Sequence, residues 1–438
     1  MSVDQEPGRH RVPASAEPAS GARPSDGSAS ARQGGVRVDS GTPHVALVTT
    51  FYPNRADPTR AVFVENLARE LRHECRLHIV SPVPFAPPTA RWAAWRNIPR
   101  LDRRHGLCIL HPRFLVLPRL EVFNALSYAL GVLPLLARLA RRHPGLIVHA
   151  HCAYPDAVGA ALVARVLGLR YVVTAHGSDL NVYSHRTLLR PQIRWGLRNA
   201  DAVIAVSRAL RRRALELMGA QAEPRCHHVA CAAVDPALFH AGGDAAPLRG
   251  ALGVPAGARV VVFVGKLVPI KGVDTLIAAW VALLAQRLVH ENDRLIIIGS
   301  GPQEALLRGA ARGAGETVRF LGAMPQAHLA QWIRAADLLC LPSRNEGTPN
   351  VVIEALASGT PVVASAVGAV PDFVRDGQTG FLARPDDAPD LGRALARGLS
   401  QRWDRAAIAA TVQGHTWRNI AQANARILRN LARGMPDA

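Results

Sequence analysis

The feature that most constrains the fold is an alternation of apolar, strand-like segments with helix-like segments, which runs through one half of the chain and then starts again. In the first half, apolar runs that predict strands occur at 44–50, 77–81, 146–150, 171–174 and 202–206. Helical patterns alternate with them, and the clearest is 62–71, whose apolar residues recur at helical spacing. Because alternating strands and helices form parallel sheets that are covered on both faces, we predict an α/β fold.

The same alternation restarts at residue 260. The strands predicted for this half are 260–264, 295–298, 319–322, 338–341 and 362–364. A long helix is predicted at 273–288, and a final helix at 417–431. A chain of 438 residues exceeds one ordinary domain. We therefore predict two Rossmann-like domains that face a central cleft at the carboxyl ends of the strands.

The composition along the chain suggests where these domains begin and end. Residues 1–42 are rich in Pro, Ser, Gly, Ala and Arg and lack the apolar stretch of a signal peptide, so we expect a disordered tail. The segments that follow are an N-terminal domain at 43–235, a linker at 236–258, a C-terminal domain at 259–415 and a helix at 416–434. For this last helix, packing back on the N-terminal domain is one arrangement that we consider.

The charge and the cysteines narrow the range of partners and compartments. The net charge of +19 favours anionic partners, which include nucleic acid, acidic lipid and phosphorylated ligands. The six cysteines are scattered and show neither a C-x-x-C pair nor the spacing of metal ligands: Cys75, Cys108, Cys152, Cys226, Cys231 and Cys340. This pattern is typical of a reducing cytosol, so we expect a cytoplasmic protein without a disulfide framework.

The chain has only two lysines, against fifty arginines, and both lie in the segment G-K-L-V-P-I-K-G. A lysine ammonium is a compact cation that suits phosphate oxygens, whereas arginine offers a planar fork. Lys266 and Lys271 are therefore candidate phosphate ligands. The alternative is that two solvated lysines lie close together by accident.

A second segment, L-P-S-R-N-E-G-T-P-N-V-V-I-E-A-L-A-S-G-T-P, is more specific. After the strand at 338–341, Thr348 is predicted to cap a helix with Pro349 at its first position. The amides and the dipole of that helix N-terminus favour a phosphate. Glu346 precedes the helix, and Glu354 lies in its second turn and leans toward the N-terminus. We predict that both carboxylates reach one ligand.

These motifs, in their order along the chain, resemble those of glycosyltransferase family 4, whose members are retaining enzymes of the GT-B fold. The resemblance covers residues 43–434 and rests on G-K-L-V-P-I-K-G, I-I-G-S-G-P, F-L-G and the two glutamates that are separated by seven residues. In the first half, T-A-H-G-S-D-L, A-D-A-V-I-A-V-S and A-V-D-P-A-L-F are also similar to the family's motifs.

The resemblance implies that the C-terminal domain binds a nucleotide sugar and that the N-terminal domain binds the acceptor. The residues that it implies are, for catalysis, His176 and Glu346 and, for donor binding, Gly265, Lys266, Lys271, Gly347, Thr348, Asn350, Val351, Glu354 and Asp179. Glu346 would contact the sugar, Glu354 the ribose and the lysines the diphosphate. The alternatives are that His176 is only an N-cap or turn residue and that Asp179 only caps the following helix.

The reaction that the resemblance implies is transfer of a sugar to a hydroxyl of a glycan or lipid-linked acceptor, in surface polysaccharide or glycolipid synthesis. No D-x-D pair follows a strand, and the chain is strongly cationic, so we predict activity without a metal or another cofactor. A nucleotide-sugar epimerase and a catalytically silent scaffold remain alternatives. A nucleic-acid binder is disfavoured because the chain lacks a basic stripe, a recognition-helix motif and an aromatic RNA-binding pattern.

Two segments bear on membrane association. Residues 91–104 carry five arginines with Trp92 and Trp95, which suits an anionic membrane surface, although a solvated basic loop has the same composition. The apolar run within 121–142 is interrupted by polar residues, Gly and Pro, and falls short of the ~20 residues that span a bilayer. It predicts a buried or surface-docked helix. We therefore expect a cytoplasmic protein that can be peripheral at the inner membrane face.

Overall fold

The computed structural model of the chain describes residues 42–58, 60–85, 93–116, 120–243 and 245–434. The predicted tail at 1–42 lies outside the described residues except for residue 42, and so do residues 91 and 92 of the basic segment.

The N-terminal half is built on a mostly parallel sheet. Its described strands are β1 (His44–Val48), β2 (Arg76–Val80), β3 (Val83–Phe85), β4 (Leu101–Arg104), β5 (Leu107–Leu110), β6 (Arg113–Leu115), β7 (Ile147–His151), β8 (Arg170–Ala175), β9 (Ala202–Ala205) and β10 (Cys226–His228). Eight of these strands form one sheet in the order β10-β9-β8-β7-β1-β2-β5-β4, while β3 and β6 pair separately. The five strands predicted for this half are confirmed, and their ends are shifted by at most two residues.

One edge of this sheet departs from the parallel arrangement that the alternation predicts. Strands β4 and β5 are antiparallel and are joined by His105 and Gly106, whose φ angles are +48° and +74°. A two-residue turn with positive φ at both positions can connect only antiparallel neighbours, and it matches the twist of a hairpin. The sequence pattern did not predict this hairpin, because its short strands lack a long apolar run.

Helices cover this sheet. They are α1 (Val62–Leu71), α2 (Ala93–Arg96), α3 (Asn124–Arg142), α4 (Val158–Leu167), α5 (Ser178–Asn181), α6 (Arg190–Arg198) and α7 (Arg208–Met218). A 3-10 turn at Glu121–Phe123 leads into α3, which packs against α4 and β6. Within the described parts of the chain, residues 121–142 are the one helical segment long and apolar enough to cross a membrane, and 33% of its most apolar stretch is buried.

The C-terminal half repeats the architecture with a fully parallel sheet. Its strands are β11 (Val260–Val264), β12 (Arg294–Ile298), β13 (Val318–Gly322), β14 (Leu338–Leu341), β15 (Val362–Ser365) and β16 (Gly380–Ala383), in the order β13-β12-β11-β14-β15-β16. Its helices are α8 (Ala245–Ala251), α9 (Val273–Ala285), α10 (Glu304–Ala310), α11 (Gln326–Ala335), α12 (Asn350–Ala357), α13 (Val370–Phe373), α14 (Ala388–Ser400) and α15 (Arg405–Ala410).

Three details of this half differ from the sequence pattern. Helix α9 ends at Ala285 instead of residue 288, because Arg287 adopts a φ of +58°, which is incompatible with a right-handed helix. The segment 236–258, predicted as a linker, contains α8. The strands predicted for this half are confirmed, and β16 is an additional strand that the pattern did not indicate.

The last helix, α16 (Trp417–Arg433), lies against the N-terminal half. It contacts α1 along its length, and the Arg429 guanidinium pairs with the Glu74 carboxylate at 2.8 Å. Ile420 and Leu428 are buried in one apolar cluster with Val45 of β1. The chain therefore crosses from the first half to the second and back again, and its C-terminal segment completes the core of the first half.

Candidate functional site

The two lysines lie on the loop between β11 and α9. Lys266 is exposed, while Lys271 is partly buried at the end of a 3-10 turn, Pro269–Lys271. The Lys271 ammonium is 2.5 Å from Oε1 of Glu346, and the Ser343 hydroxyl donates a hydrogen bond to the same oxygen at 2.6 Å. The structure thus brings Lys271 and Glu346 together as an ion pair.

Arg344 holds this pair in place, which the sequence pattern did not reveal. Its backbone N–H donates to the Ile270 carbonyl at 2.8 Å, and its guanidinium pairs with Asp274 at 2.8 Å and with Asp386 at 2.6 Å. The hydrogen bonds to Asp274 and Asp386 raise the pKa of the Arg344 guanidinium further above its usual range. The lysine turn and the glutamate loop are consequently one braced unit.

The loop after β12 packs closely against the backbone of the loop that carries the two lysines. A Cβ atom on Gly299, whose φ is +143°, would lie only 1.8 Å from the Gly265 carbonyl oxygen, so any side chain here is excluded. The backbone of Gly265, which we predicted to contact the donor, is therefore held in place by the loop after β12.

Helix α12 begins later than the sequence pattern indicates. The predicted cap by Thr348 with Pro349 at the first helical position is wrong: Pro349 is the N-cap residue and Asn350 is the first helical residue. With the start shifted by one residue, the Thr348 hydroxyl is too far back to accept from the second or third helical amide. Thr348 Oγ1 and Asn350 Oδ1 are buried without a hydrogen-bond partner among the described residues, and Val351 beside them is partly buried. Such orphaned atoms are costly unless a ligand pairs with them.

Glu354 lies one turn further along α12 and lines a cavity of about 530 Å³. Its other walls include Asn350, Asn66 of α1, Asp235 and Trp417, so both halves of the chain contribute. Burial raises the pKa of the Glu354 carboxyl to about 7. Glu346 is not among the residues that line this cavity. The structure thus places Glu354 on this cavity and Glu346 in the pair with Lys271, and that both carboxylates reach one ligand stays a prediction.

Asp179 organises the loop that follows β8. One carboxylate oxygen accepts from the backbone N–H groups of Ala153 at 2.8 Å and His176 at 3.2 Å, and the other accepts from Gly177 at 2.7 Å. The side chain is only 1% exposed. We predicted a donor contact for Asp179, but both oxygens are used by backbone amides, so it acts on a donor only through the loop that it holds.

The His176 imidazole is paired with a second histidine that sequence reasoning missed. His176 Nε2 lies 2.9 Å from Nδ1 of His151, and the ring also contacts Phe63, with 5.0 Å between the ring centroids. Burial lowers the pKa of His176 to about 4, although the nearby Asp179 opposes that shift. Burial also lowers the pKa of His151, so both imidazoles are neutral near pH 7. The signal in the sequence was H-A-H at the end of β7, directly opposite the end of β8.

The loop of His176 meets the loop of Glu346 across the gap between the two halves. A Cβ atom on Gly347 would lie 2.6 Å from the His176 carbonyl oxygen, and a Cβ on Gly177 would lie 3.0 Å from the Gly347 Cα atom. Only backbones without side chains can approach this closely. The fold therefore brings the histidine loop of one half against the glutamate loop of the other.

A smaller pocket of about 270 Å³ lies in the N-terminal half, lined by Thr50, Arg60, Trp95, Tyr154 and other mostly apolar residues. The Arg60 guanidinium stacks over the Trp95 ring at 5.2 Å. Behind the pocket, buried Asp156 accepts hydrogen bonds from the Thr50 hydroxyl at 2.8 Å and from a tyrosine hydroxyl at 3.1 Å. Burial raises the pKa of Asp156 to about 7. Trp95 is among the residues that line this pocket, and its predicted place at a membrane surface stays a prediction.

One group of the described residues has the composition of a metal site: His44, His78 and His143, whose ring nitrogens lie within 4.8 Å of one another. His44 begins β1, whereas His151 ends the neighbouring parallel strand β7, so the cluster lies at the opposite end of the sheet. The prediction of metal-independent activity stays a prediction.

Comparison with known proteins identifies the family. The profile of Glycosyltransferase Family 4 matches residues 61–238, and that of Glycosyl transferases group 1 matches residues 258–401. TuaC of Bacillus subtilis strain 168, named as a glycosyltransferase of teichuronic acid biosynthesis, is 30% identical over 363 residues, which are 81% of this chain and 88% of TuaC. A D-inositol 3-phosphate glycosyltransferase of Kribbella flavida is 37% identical over 237 residues, which are 51% of this chain and 55% of that protein.

Solved structures show the same architecture. Sucrose-phosphate synthase of Thermosynechococcus elongatus superposes with a TM-score of 0.65 at 23% identity, over 90% of this chain and 100% of that protein. Anabaena HepE, solved in complex with UDP, superposes with a TM-score of 0.63 at 21% identity, over 88% and 99% of the two chains. The two sheets and their facing loops are accordingly a GT-B fold, and the chain belongs to the family 4, group 1 glycosyltransferases.

Proposed function

We propose that the chain transfers a sugar, with retention of anomeric configuration, from a nucleoside-diphosphate sugar to a hydroxyl of a glycan or lipid-linked acceptor. The contact between the His176 and Glu346 loops carries this proposal. This contact brings the loops of Lys271 and Glu346, which precede α12 in the C-terminal half, against the loop of His176 in the N-terminal half. The UDP in the HepE structure and the polysaccharide named for TuaC support the class of donor and of product.

The donor diphosphate would enter beside Lys271. In the structure the Lys271 ammonium neutralises Glu346, and a diphosphate would compete for that ammonium because its charge is larger. Glu346 would then be free to accept hydrogen bonds from sugar hydroxyls. The side-chain oxygens of Thr348 and Asn350 are buried without a partner in the described parts of the chain, at the start of α12, where a ligand can pair with them.

Catalysis would come mainly from stabilisation of the leaving diphosphate. As the bond between the sugar and the diphosphate breaks, negative charge builds on the diphosphate. Lys266, Lys271 and the N-terminal amides of α12 would stabilise that charge. The turn that carries Lys271 is fixed before the reaction, because Arg344 braces it against the glutamate loop. The cationic groups take the role that a divalent metal has elsewhere, so we propose turnover without metal. His176, neutral at pH 7, would face the donor sugar from the other wall.

We also propose that the reaction takes place in the cytoplasm at the inner membrane face, in the synthesis of a surface polysaccharide or glycolipid. Glu354, Asn350 and Val351 of α12 would contact the nucleoside, with the ribose hydroxyls on Glu354. The pocket around Arg60 and Trp95 would receive the acceptor, since it is the described cavity of the N-terminal half that borders the Thr50 loop.

The substitution Glu346→Gln tests the assigned role. We expect turnover to fall by about 10² or more, because the neutral amide accepts weaker hydrogen bonds from the sugar hydroxyls than the carboxylate does. The measurement is release of nucleoside diphosphate from a panel of nucleotide sugars, with lipid extracts and oligosaccharides as acceptors and EDTA present. Glu316→Gln, at an exposed position, is the matched control. Wild-type turnover in Glu346→Gln with an unchanged thermal midpoint would refute the role.

A further inference from the structure

The outer face of α3 exposes large apolar side chains. Phe123, Leu126 and Leu130 are 55%, 53% and 63% exposed. They are spaced by three and four residues, so they lie on one face of the helix. The opposite face is buried on α4, with Tyr128 and Val132 fully buried. A soluble helix normally turns its apolar face inward, and α3 has a second apolar face that points outward.

The pair of strands beside α3 extends this face. Phe85 and Leu115 are paired in register between β3 and β6, and they are 57% and 45% exposed. The Ser127 hydroxyl donates to the Leu115 carbonyl at 2.6 Å, which fixes α3 next to β6. Leu120, 45% exposed, precedes the helix. We name this surface the apolar patch, and it consists of Phe85, Leu115, Leu120, Phe123, Leu126 and Leu130.

Basic residues continue the same face of α3. Arg138, Arg141 and Arg142 are exposed in the last turns of α3, two to three turns beyond Leu130. By helical spacing Arg141 lies on the same face as Leu130, and Arg138 and Arg142 lie to one side of that face. An apolar segment that leads into arginines is the pattern of helices that lie in a membrane interface, with apolar side chains among the acyl chains and guanidinium groups at the phosphates. The net charge of +19 adds a long-range attraction to anionic lipid.

The apolar patch borders the pocket of the N-terminal half. Residues of the patch alternate along the chain with residues that line the pocket: Pro84, Phe114, Val116, Glu121 and Asn124. The side chain of Phe114 points inward while that of Leu115 points outward, as neighbours in a strand do. A molecule anchored in a membrane under the patch would therefore meet the pocket at its rim.

We propose that the apolar patch and Arg138, Arg141 and Arg142 dock the enzyme on an anionic phospholipid bilayer and that the acceptor is lipid-anchored. The identification of the acceptor rests on the proposed function, whereas the docking does not. A second copy of the chain is a poorer occupant, because each copy would bring its own arginines and its large positive charge to the contact.

Sedimentation of the full chain with vesicles tests the docking. Vesicles of phosphatidylcholine with phosphatidylglycerol should bind the protein, and binding should weaken with added salt and in pure phosphatidylcholine. The double substitution Leu126→Glu/Leu130→Glu should reduce the vesicle partition coefficient about tenfold or more. Leu306→Glu/Val166→Glu, at positions 67% and 71% exposed, is the matched control and should bind as the wild type does.

The arginines are tested separately. Arg138→Ser/Arg141→Ser/Arg142→Ser should lower binding to anionic vesicles and flatten its salt dependence, whereas Arg312→Ser/Arg319→Ser/Arg402→Ser, exposed on the other half, should change it less. Equal binding by the Leu126/Leu130 variant and the wild type would overturn the docking. The docking would also be overturned if the wild type proved to be a dimer and the Leu126/Leu130 variant a monomer. Glu346→Gln should bind vesicles normally, and nucleotide titration of each variant separates a failure of docking from a failure of the donor site.

Discussion

At the scale of single residues, the ion pair between Lys271 and Glu346 connects the sequence to the proposed chemistry. Both residues were predicted from their motifs, but their contact was not, because they are 75 positions apart and only the parallel order of β11 and β14 brings their loops together. His151 was missed for the same reason, since its partner His176 lies on the next strand. A sequence pattern can indicate which residues are functional, but it does not predict contacts between residues that only the order of the strands brings together.

Glu354 leads to a prediction about pH. Its carboxyl is protonated below its pKa of about 7 and ionised above it. The ionised form accepts stronger hydrogen bonds from ribose hydroxyls than the neutral form does. We expect a nucleotide sugar, whose diphosphate diester does not titrate in this range, to bind about tenfold more tightly at pH 8 than at pH 6, the ratio that a single group with this pKa gives.

Calorimetric titration at the two pH values measures this difference. Glu354→Gln is the control and should remove the pH dependence, which distinguishes Glu354 from Asp156, whose pKa is also about 7. The assignment of Glu354 to the ribose fails if the wild type binds equally well at pH 6 and pH 8, or if Glu354→Gln keeps the wild-type dependence.

At the scale of elements, the long buried strands and helices were predictable and the short ones were not. Strands β11 and β14 match their predicted bounds because they are continuous apolar runs between turn residues. Strands β3, β4 and β6 have three or four residues and owe their place to neighbours instead of to a local pattern. The start of α12 was misplaced by one residue because Pro349 can be either the cap or the first helical residue, and the sequence does not decide between them.

The contact between the histidine and glutamate loops gives a prediction at this scale. Gly347→Ala adds a Cβ atom that would lie 2.6 Å from the His176 carbonyl oxygen, so the loops must separate. We expect turnover to fall about tenfold to a hundredfold because the two walls of the site move apart, while the thermal midpoint changes little. Gly309→Ala in α10, where an added Cβ meets nothing within 4 Å, is the control. Unchanged turnover in Gly347→Ala would show that this contact does not set the geometry of the site.

At the scale of the whole molecule, each half has its own buried clusters, and the chain crosses between the halves and returns through α16. The final helix could be predicted from its pattern, but its position could not, because amphipathic spacing does not say which sheet receives the apolar face. Its buried side chains share a cluster with β1 and α1.

This arrangement makes the C-terminal helix a stabilising element of the N-terminal half. Leu428 is 0% exposed. Leu428→Ala should lower the thermal midpoint for unfolding of the N-terminal half by about 5–15 °C, because packing is lost and a cavity is left behind. Calorimetry measures the midpoint, and Leu306→Ala, at a position 67% exposed, should change it by no more than about 2 °C. Equal midpoints for the two variants would contradict the role of α16.

The central claim is that the C-terminal half holds a nucleoside diphosphate through its two lysines. Isothermal titration of the purified chain against a panel of nucleoside diphosphates and their sugars, in EDTA, tests it most directly. We predict binding of one nucleotide and a loss of affinity of about tenfold or more in Lys266→Ala/Lys271→Ala, but not in the control Arg312→Ala/Arg402→Ala. Binding by the lysine variant as tight as by the wild type, or no binding of any nucleotide by the wild type, would contradict the account.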